Sequence, residues 1–154
     1  LDESVRDVLS SKRYDQESKD GMDMALCSFD LKNKKVQYSG AFRPLIKING
    51  ENIEETKGNR YPIGGGSAYT KNGFKTHEFD INKGDCFYMF SDGFPDQFGG
   101  PRDKKFMNKK FKSLLKEIQF LPATEQMVRL DTELKKWKGE TEQVDDILVI
   151  GVCF

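Results

Sequence analysis

Two runs of the chain have strand length and almost no polar residue: Cys86-Phe-Tyr-Met-Phe90 and Ile147-Leu-Val-Ile150. A half-exposed strand alternates apolar and polar side chains. An unbroken apolar run of this length instead predicts a strand covered on both faces. The first run is read as a strand from Asp85 to Phe90, and the second as part of a closing strand over residues 144–154 that starts near Asp145. These runs supply the material for a packed core, and the composition is not that of a disordered chain.

The rest of the pattern fits around them. Leu1, Val5, Val8 and Leu9 recur at helical spacing and predict a helix over residues 1–12, followed by a polar loop over 13–20. Strand-like text runs over residues 22–31, turns at Lys32-Asn-Lys34 and pairs back through Val36 to Tyr38. Leu45 to Ile48 leads into Asn49-Gly50, a tight-turn signal, with Ile53 on the return strand. Residues 57–73 are rich in Gly, Asn and Ser and form a long loop, whose Gly64–Gly66 lacks the spacing of a phosphate-cradling motif. Residues 74–81 alternate as a further strand, with His77 on its solvent side. Met107, Phe111, Leu114, Leu115 and Ile118 form one helical stripe, and Met127, Leu130, Leu134 and Trp137 a second, stopped at Gly139. Strands grouped together and then helices predict an α+β fold in a single domain.

Charge and cysteines exclude several functions. Twenty-five basic residues balance twenty-five acidic ones, so no net field draws the chain to nucleic acid or an acidic membrane surface. The lysines at 104, 105, 109, 110 and 112 read as the solvated face of a helix, with a docking surface for an acidic partner as the alternative. Cys27, Cys86 and Cys153 are odd in number, contain no CxxC pair and sit in apolar strand-like runs. They are expected as buried free thiols in a reducing compartment, which places the chain in the cytoplasm. With one histidine, neither a cysteine nucleophile nor a structural zinc site has its usual companions. No run approaches the roughly 20 apolar residues of a membrane span.

Two acidic positions carry the chemistry. Asp92 directly follows one apolar run, and Asp145 and Asp146 directly precede the other. A carboxylate at the mouth of a core strand is held rigidly and still reaches solvent. If the two strands are antiparallel neighbours, these carboxylates converge at one edge of the sheet, repel one another and require a cation. Oxygen donors without His or Cys favour Mg²⁺ or Mn²⁺ over zinc. Ordinary turn and cap roles for the same aspartates remain open on this pattern alone.

The text Tyr88-Met-Phe-Ser-Asp-Gly-Phe-Pro-Asp-Gln-Phe-Gly-Gly100, with Gln143-Val-Asp-Asp-Ile-Leu-Val-Ile-Gly151, resembles the last two metal-binding motifs of the PPM superfamily of protein phosphatases, in its stage II sporulation protein E branch. Gly21-Met-Asp-Met-Ala-Leu-Cys27, Gly40-Ala-Phe-Arg-Pro44, Ile63-Gly-Gly65 and Trp137-Lys-Gly139 agree in order. The resemblance implies two packed antiparallel β-sheets flanked by helices. It implies hydrolysis of phosphoserine or phosphothreonine on a protein by a water activated by two Mn²⁺ or Mg²⁺ ions, with no protein nucleophile. Asp92 and Asp145 would be ligands, Asp96 would match a position holding a further, weaker ion, Asp146 would bond locally, and Arg43 would contact substrate phosphate. The family's N-terminal Asp-Gly motif, whose aspartate bridges both ions, has no match here and is expected upstream of Leu1. Residues 1–154 are therefore expected to be the C-terminal portion of a phosphatase domain in a longer chain whose anchor, if any, lies elsewhere. By the same analogy the substrate would be a phosphorylated signalling protein such as an anti-sigma-factor antagonist. The alternative is a phosphatase-like module that binds a partner without hydrolysis.

Overall fold

The computed structural model describes residues 1–5, 21–64 and 73–154. Residues 2–5 are helical, as expected at the start of the chain, while the remainder of that helix and the 13–20 loop lie outside the described residues. The chain forms two compact units, one from Leu1–Leu45 and Thr56–Ile81, the other from Ile46–Glu55 and Asn82–Phe154. Antiparallel strands with a few helices give the α+β class that the sequence predicts.

The first unit is built on a three-stranded antiparallel sheet in the order β1 (Met24–Asp30), β2 (Lys35–Ala41), β5 (His77–Asp80). Asp30 shapes the β1–β2 turn by accepting hydrogen bonds from Asn33 N and Nδ2 at 2.9 and 2.7 Å. Val36, Tyr38 and Ala41 on β2 are buried. His77 stands opposite Tyr38 in register with ring centroids 6.0 Å apart. It is half-buried rather than solvent-facing, because its cross-strand neighbour is a buried aromatic.

The second unit contains a four-stranded sheet ordered β4 (Asn52–Thr56), β3 (Leu45–Asn49), β6 (Cys86–Phe90), β9 (Val149–Cys153). Gly50 takes a φ of +57° in the two-residue connection of β3 to β4, a conformation that favours glycine. Helix α2 (Asn108–Ile118) buries Phe111, Leu114, Leu115 and Ile118 in a core with Ile46, Ile48, Tyr88 and Phe90. Lys112 and Lys116 of this helix pair with Glu55 and Glu51. Helix α3 (Ala123–Lys138) ends against Gly139 and rests Leu130, Leu134 and Trp137 on this core, whereas Met127 is exposed. A short helix α1 (Gly93–Asp96) and a two-stranded ribbon, β7 (Phe98–Gly99) with β8 (Lys104–Lys105), lie between β6 and α2.

Three expectations are corrected. The first apolar run is buried as predicted, but the second is not: Ile150 is 43% exposed. Strand β9 is the last strand of its sheet; Ile147 and Val149 line a hollow of about 710 Å³ with Tyr88, Leu130 and Leu134, while Leu148 and Ile150 alternate onto the other face and are exposed there. The lysine cluster is not one helix face. Lys104 and Lys105 are in β8, and Lys110 stacks over Trp137 at 3.8 Å from the ring centroid. Cys86 and Cys153 are not free thiols: they face each other in the β6/β9 register and are joined in a disulfide. Cys27 stays free, with its thiol pushed up to about 11 by burial.

Candidate metal centre

Strands β6 and β9 are antiparallel neighbours, with Phe90 opposite Val149. Past that pair the two chains run on side by side. Ser91 N donates to Leu148 O at 3.0 Å. Leu148 N does not continue a regular ladder but donates to Ser91 Oγ at 2.9 Å, and the same hydroxyl donates to Asp146 O at 2.8 Å. One serine side chain thus stitches the Asp92-bearing segment to the Asp145-Asp146 segment. At Gly93 the approach closes further. A Cβ there would run into the Asp146 carbonyl and lie 2.9 Å from Ile147 Cγ1, so a side chain would force the segments apart. Both acidic motifs therefore occupy the same end of the β6/β9 pair, and the disulfide closes the other end.

Each acidic residue has a distinct setting. Asp92 is half-buried and opens α1, where its carbonyl accepts Asp96 N–H at 2.8 Å. Asp145 is exposed and its Oδ1 accepts Asp146 N–H at 2.7 Å. Asp146 contributes its backbone N–H and carbonyl to these local bonds. Asp96, one helical turn beyond Asp92, is paired with Lys105 at 2.9 Å. Arg43 belongs to the first unit, where its guanidinium binds Asp23 at 2.7 Å.

Gln97 joins the end of α1 to its surroundings. It is fully buried, and its Nε2 donates to Glu142 O at 2.9 Å and Phe98 O at 3.0 Å. Its own carbonyl accepts the Trp137 indole N–H at 3.0 Å. It therefore ties the end of α1 to the segment leading into Asp145. Its Oε1 is buried with no hydrogen-bond partner, a cost borne at this junction. From the sequence, Ser91 figures only within the Ser-Asp-Gly text and Lys105 only within the lysine cluster. The Ser-Asp-Gly context marks the first, but nothing local marks the second.

The family model described as Stage II sporulation protein E (SpoIIE) matches residues 3–154. The chain belongs to the SpoIIE family. Among solved structures, the SiaA-PP2C domain of Pseudomonas aeruginosa superposes with a TM-score of 0.85 at 29% identity, over 99% of this chain and 57% of that one. The PP2C phosphatase domain of SpoIIE from Bacillus subtilis gives 0.66 at 18% identity, over 86% of this chain and 37% of that one. The Mycobacterium tuberculosis serine/threonine phosphatase PstP gives 0.65 at 11% identity, over 99% and 67%. The last two likenesses are of fold. The chain spans little more than half the length of the SiaA domain it matches. No curated protein matches it.

The rim fits part of a site for a hard divalent ion. Its candidate donors are carboxylate oxygens, and the segments that carry them cross at Gly93. The set is incomplete: among the described residues no group of three or more His, Cys, Asp or Glu is arranged to hold a metal. Among the described residues, no helix is long and apolar enough to cross a membrane.

Proposed function

We propose that this chain is the C-terminal portion of a metal-dependent phosphatase domain that hydrolyses phosphoserine or phosphothreonine on a signalling protein. The observation that supports it most is the meeting of Asp92 and Asp145–Asp146 at one end of β6 and β9. In this reading Asp92 and Asp145 hold Mn²⁺ or Mg²⁺, Asp96 lies beside them, and a bridging carboxylate comes from polypeptide upstream of Leu1. Two such ions supply Lewis acidity toward a phosphoryl oxygen and the attacking water. The protein's part is placement. Asp92 is fixed by the end of a buried strand, Asp145 is oriented by its bond to Asp146 N–H, and Ser91 sets the spacing between them. Arg43 is proposed to meet the substrate phosphate, exchanging Asp23 for it.

The RsbU and RsbW domains of Rv1364c and a bacterial stressosome component are among the structural relatives. The motif resemblance, rather than these likenesses of fold, suggests a phosphorylated regulatory protein, such as an anti-sigma-factor antagonist, as the substrate class. A second reading is a phosphatase-like module that binds a partner without hydrolysis. It draws support from the incomplete donor set and from the Lys105 bond to Asp96.

Calorimetric titration of Mn²⁺, paired with phosphate release from a phosphoserine peptide, separates the two. The chain by itself is expected to bind Mn²⁺ weakly and to turn over little. Joined to its upstream segment it is expected to bind tightly and hydrolyse, with both properties lost in Asp92→Asn. Tight Mn²⁺ binding that survives Asp92→Asn would refute the assigned site, and binding without turnover would favour the non-catalytic module.

A further inference from the structure

We propose that the Cys86–Cys153 link is a thiol–disulfide exchange site, opened and closed in the folded chain by a low-molecular-weight thiol of the glutathione class that attacks Cys153. The acidic rim at the other end of the strand pair plays no part in it. The two cysteines are partners in the β6/β9 register, with Cα atoms 4.1 Å apart. On one side Phe87 pairs with Val152 and Tyr88 with Gly151. On the other, Phe154 N donates to Asp85 O at 3.0 Å and Gly84 N to Phe154 O at 2.7 Å. Backbone pairing on both sides therefore holds the sulfurs together whether or not they are bonded, as close antiparallel partners are held. Breaking the bond leaves two thiols in place to re-form it.

Access to the two residues differs. Cys86 is 2% exposed, whereas Cys153 is exposed and lines the hollow beside α3, so a reagent arriving there meets Cys153 first. The surroundings suit the opened form. Cys86 Sγ lies 3.5 Å from Gln119 O. A disulfide sulfur has no hydrogen to give that carbonyl, whereas a thiol does. Cys153 Sγ lies 3.6 Å from Gln126 Nε2, which can donate to it. It also lies 3.9 Å from the Tyr88 hydroxyl. That hydroxyl gives its own proton to Gln126 Oε1 at 2.8 Å, which leaves its oxygen to accept a thiol hydrogen. Both sulfurs thus face partners that only the dithiol uses in full.

The exchange runs in two steps. A thiolate attacks Cys153 Sγ, the S–S bond breaks, and its electron pair leaves on Cys86 Sγ. A mixed disulfide now stands on Cys153, and the Cys86 thiolate takes a proton from water to become a thiol facing Gln119 O. A second thiolate attacks the small thiol's sulfur in the mixed disulfide, releases the oxidised small thiol and leaves Cys153 to be protonated. Two small thiols are oxidised to one disulfide, and the protein link is reduced. The reverse sequence re-forms it. Cys27 stands apart: it belongs to the other unit, and burial pushes its thiol up to about 11, which keeps it from ionising.

Millimolar glutathione, with free and bonded thiols read by alkylation and peptide mass mapping, tests the exchange on the chain as it stands. The link is expected to be lost while far-ultraviolet circular dichroism stays unchanged, and to return when glutathione disulfide replaces glutathione. Single variants test the point of attack. With glutathione disulfide, Cys86→Ser should gain a glutathione on Cys153 faster than Cys153→Ser gains one on Cys86, by roughly tenfold. Cys27 should react in neither. A link reduced only once urea is added would be a fixed cross-link, and the proposal would fall. It would fall equally if reduction abolished the dichroism, if Cys86 reacted as fast as Cys153 or faster, or if the chain kept both thiols free in glutathione disulfide.

Discussion

Gly93 is the position where the two acidic segments can least tolerate an added atom. Its missing side chain lets the Asp146 carbonyl and Ile147 pack against the start of α1. Gly93→Ala should therefore destabilise the chain by about 1–3 kcal/mol, because the obstructing atoms are largely backbone and cannot rotate away. The urea midpoint measures this, and an unchanged midpoint would mean that the 146–147 segment does not cross there. Asp92 and Asp145 were legible as candidates because each stands at the tip of an apolar run. What brings them together is the Phe90–Val149 register, a long-range pairing that no local pattern states. The pairing of Lys105 with Asp96 was hidden for a different reason. The lysine-rich text from residue 104 onward looks like one helix face, yet Met107 has a φ of +76° and α2 begins only after it. Lys105 consequently belongs to a strand, and its partner is set by strand register rather than helical spacing.

At the scale of elements, the β6/β9 pair carries the site at one end and a covalent link at the other. Cys86 and Cys153 are 67 residues apart in sequence, so spacing gave no hint that they face each other. Their disulfide closes a long loop containing α1, the β7/β8 ribbon, α2 and α3. Its reduction should lower unfolding free energy by about 2–4 kcal/mol, chiefly by freeing the unfolded chain. Thermal melts with and without dithiothreitol measure this, and Cys86→Ser/Cys153→Ser should melt like the reduced protein. Equal melting temperatures under both conditions would show that the link contributes nothing to the fold. The helices were easier to read than β9. Their apolar stripes report a face that packs within the chain, and three of the four predicted α3 positions do rest on the core. The apolar run at 147–150 reports only that both faces suit apolar contact, not that neighbours are present in this chain. Ile147 and Val149 are half-buried on one face, while Leu148 and Ile150 on the other are exposed.

Two groups that the fold holds in unlike ways contribute to the molecule's response to acid. Asp85 is 1% exposed at the start of β6. Burial, the largest influence, pushes its carboxyl up, but bonds from Asn49 Nδ2, Asn82 N and Lys47 outweigh it and leave the group below its ordinary value of 3.8. Folding thus favours the ionised form. The stability this adds is present above 3.8 and is lost as pH falls through the lower folded value. His77 is lowered from 6.5, first by burial and then by Lys75, so folding favours its neutral form. That contribution is present above 6.5 and falls away as acid protonates the unfolded chain in preference to the folded one. Acidification should therefore weaken the protein in two steps, one beginning below 6.5 and the other below 3.8. Urea unfolding across this range separates them. His77→Gln should remove the slope of the upper step and leave the lower one. Asp85→Asn should cost about 2–3 kcal/mol at neutral pH by removing a charged acceptor from Lys47 and the Asn82 N–H. Its deficit should shrink as pH drops below 3.8, where the native carboxylate also becomes protonated. A deficit that stays constant through that range would mean that Asp85 acts through packing alone, and that the charge held beside Lys47 does not stabilise the folded chain.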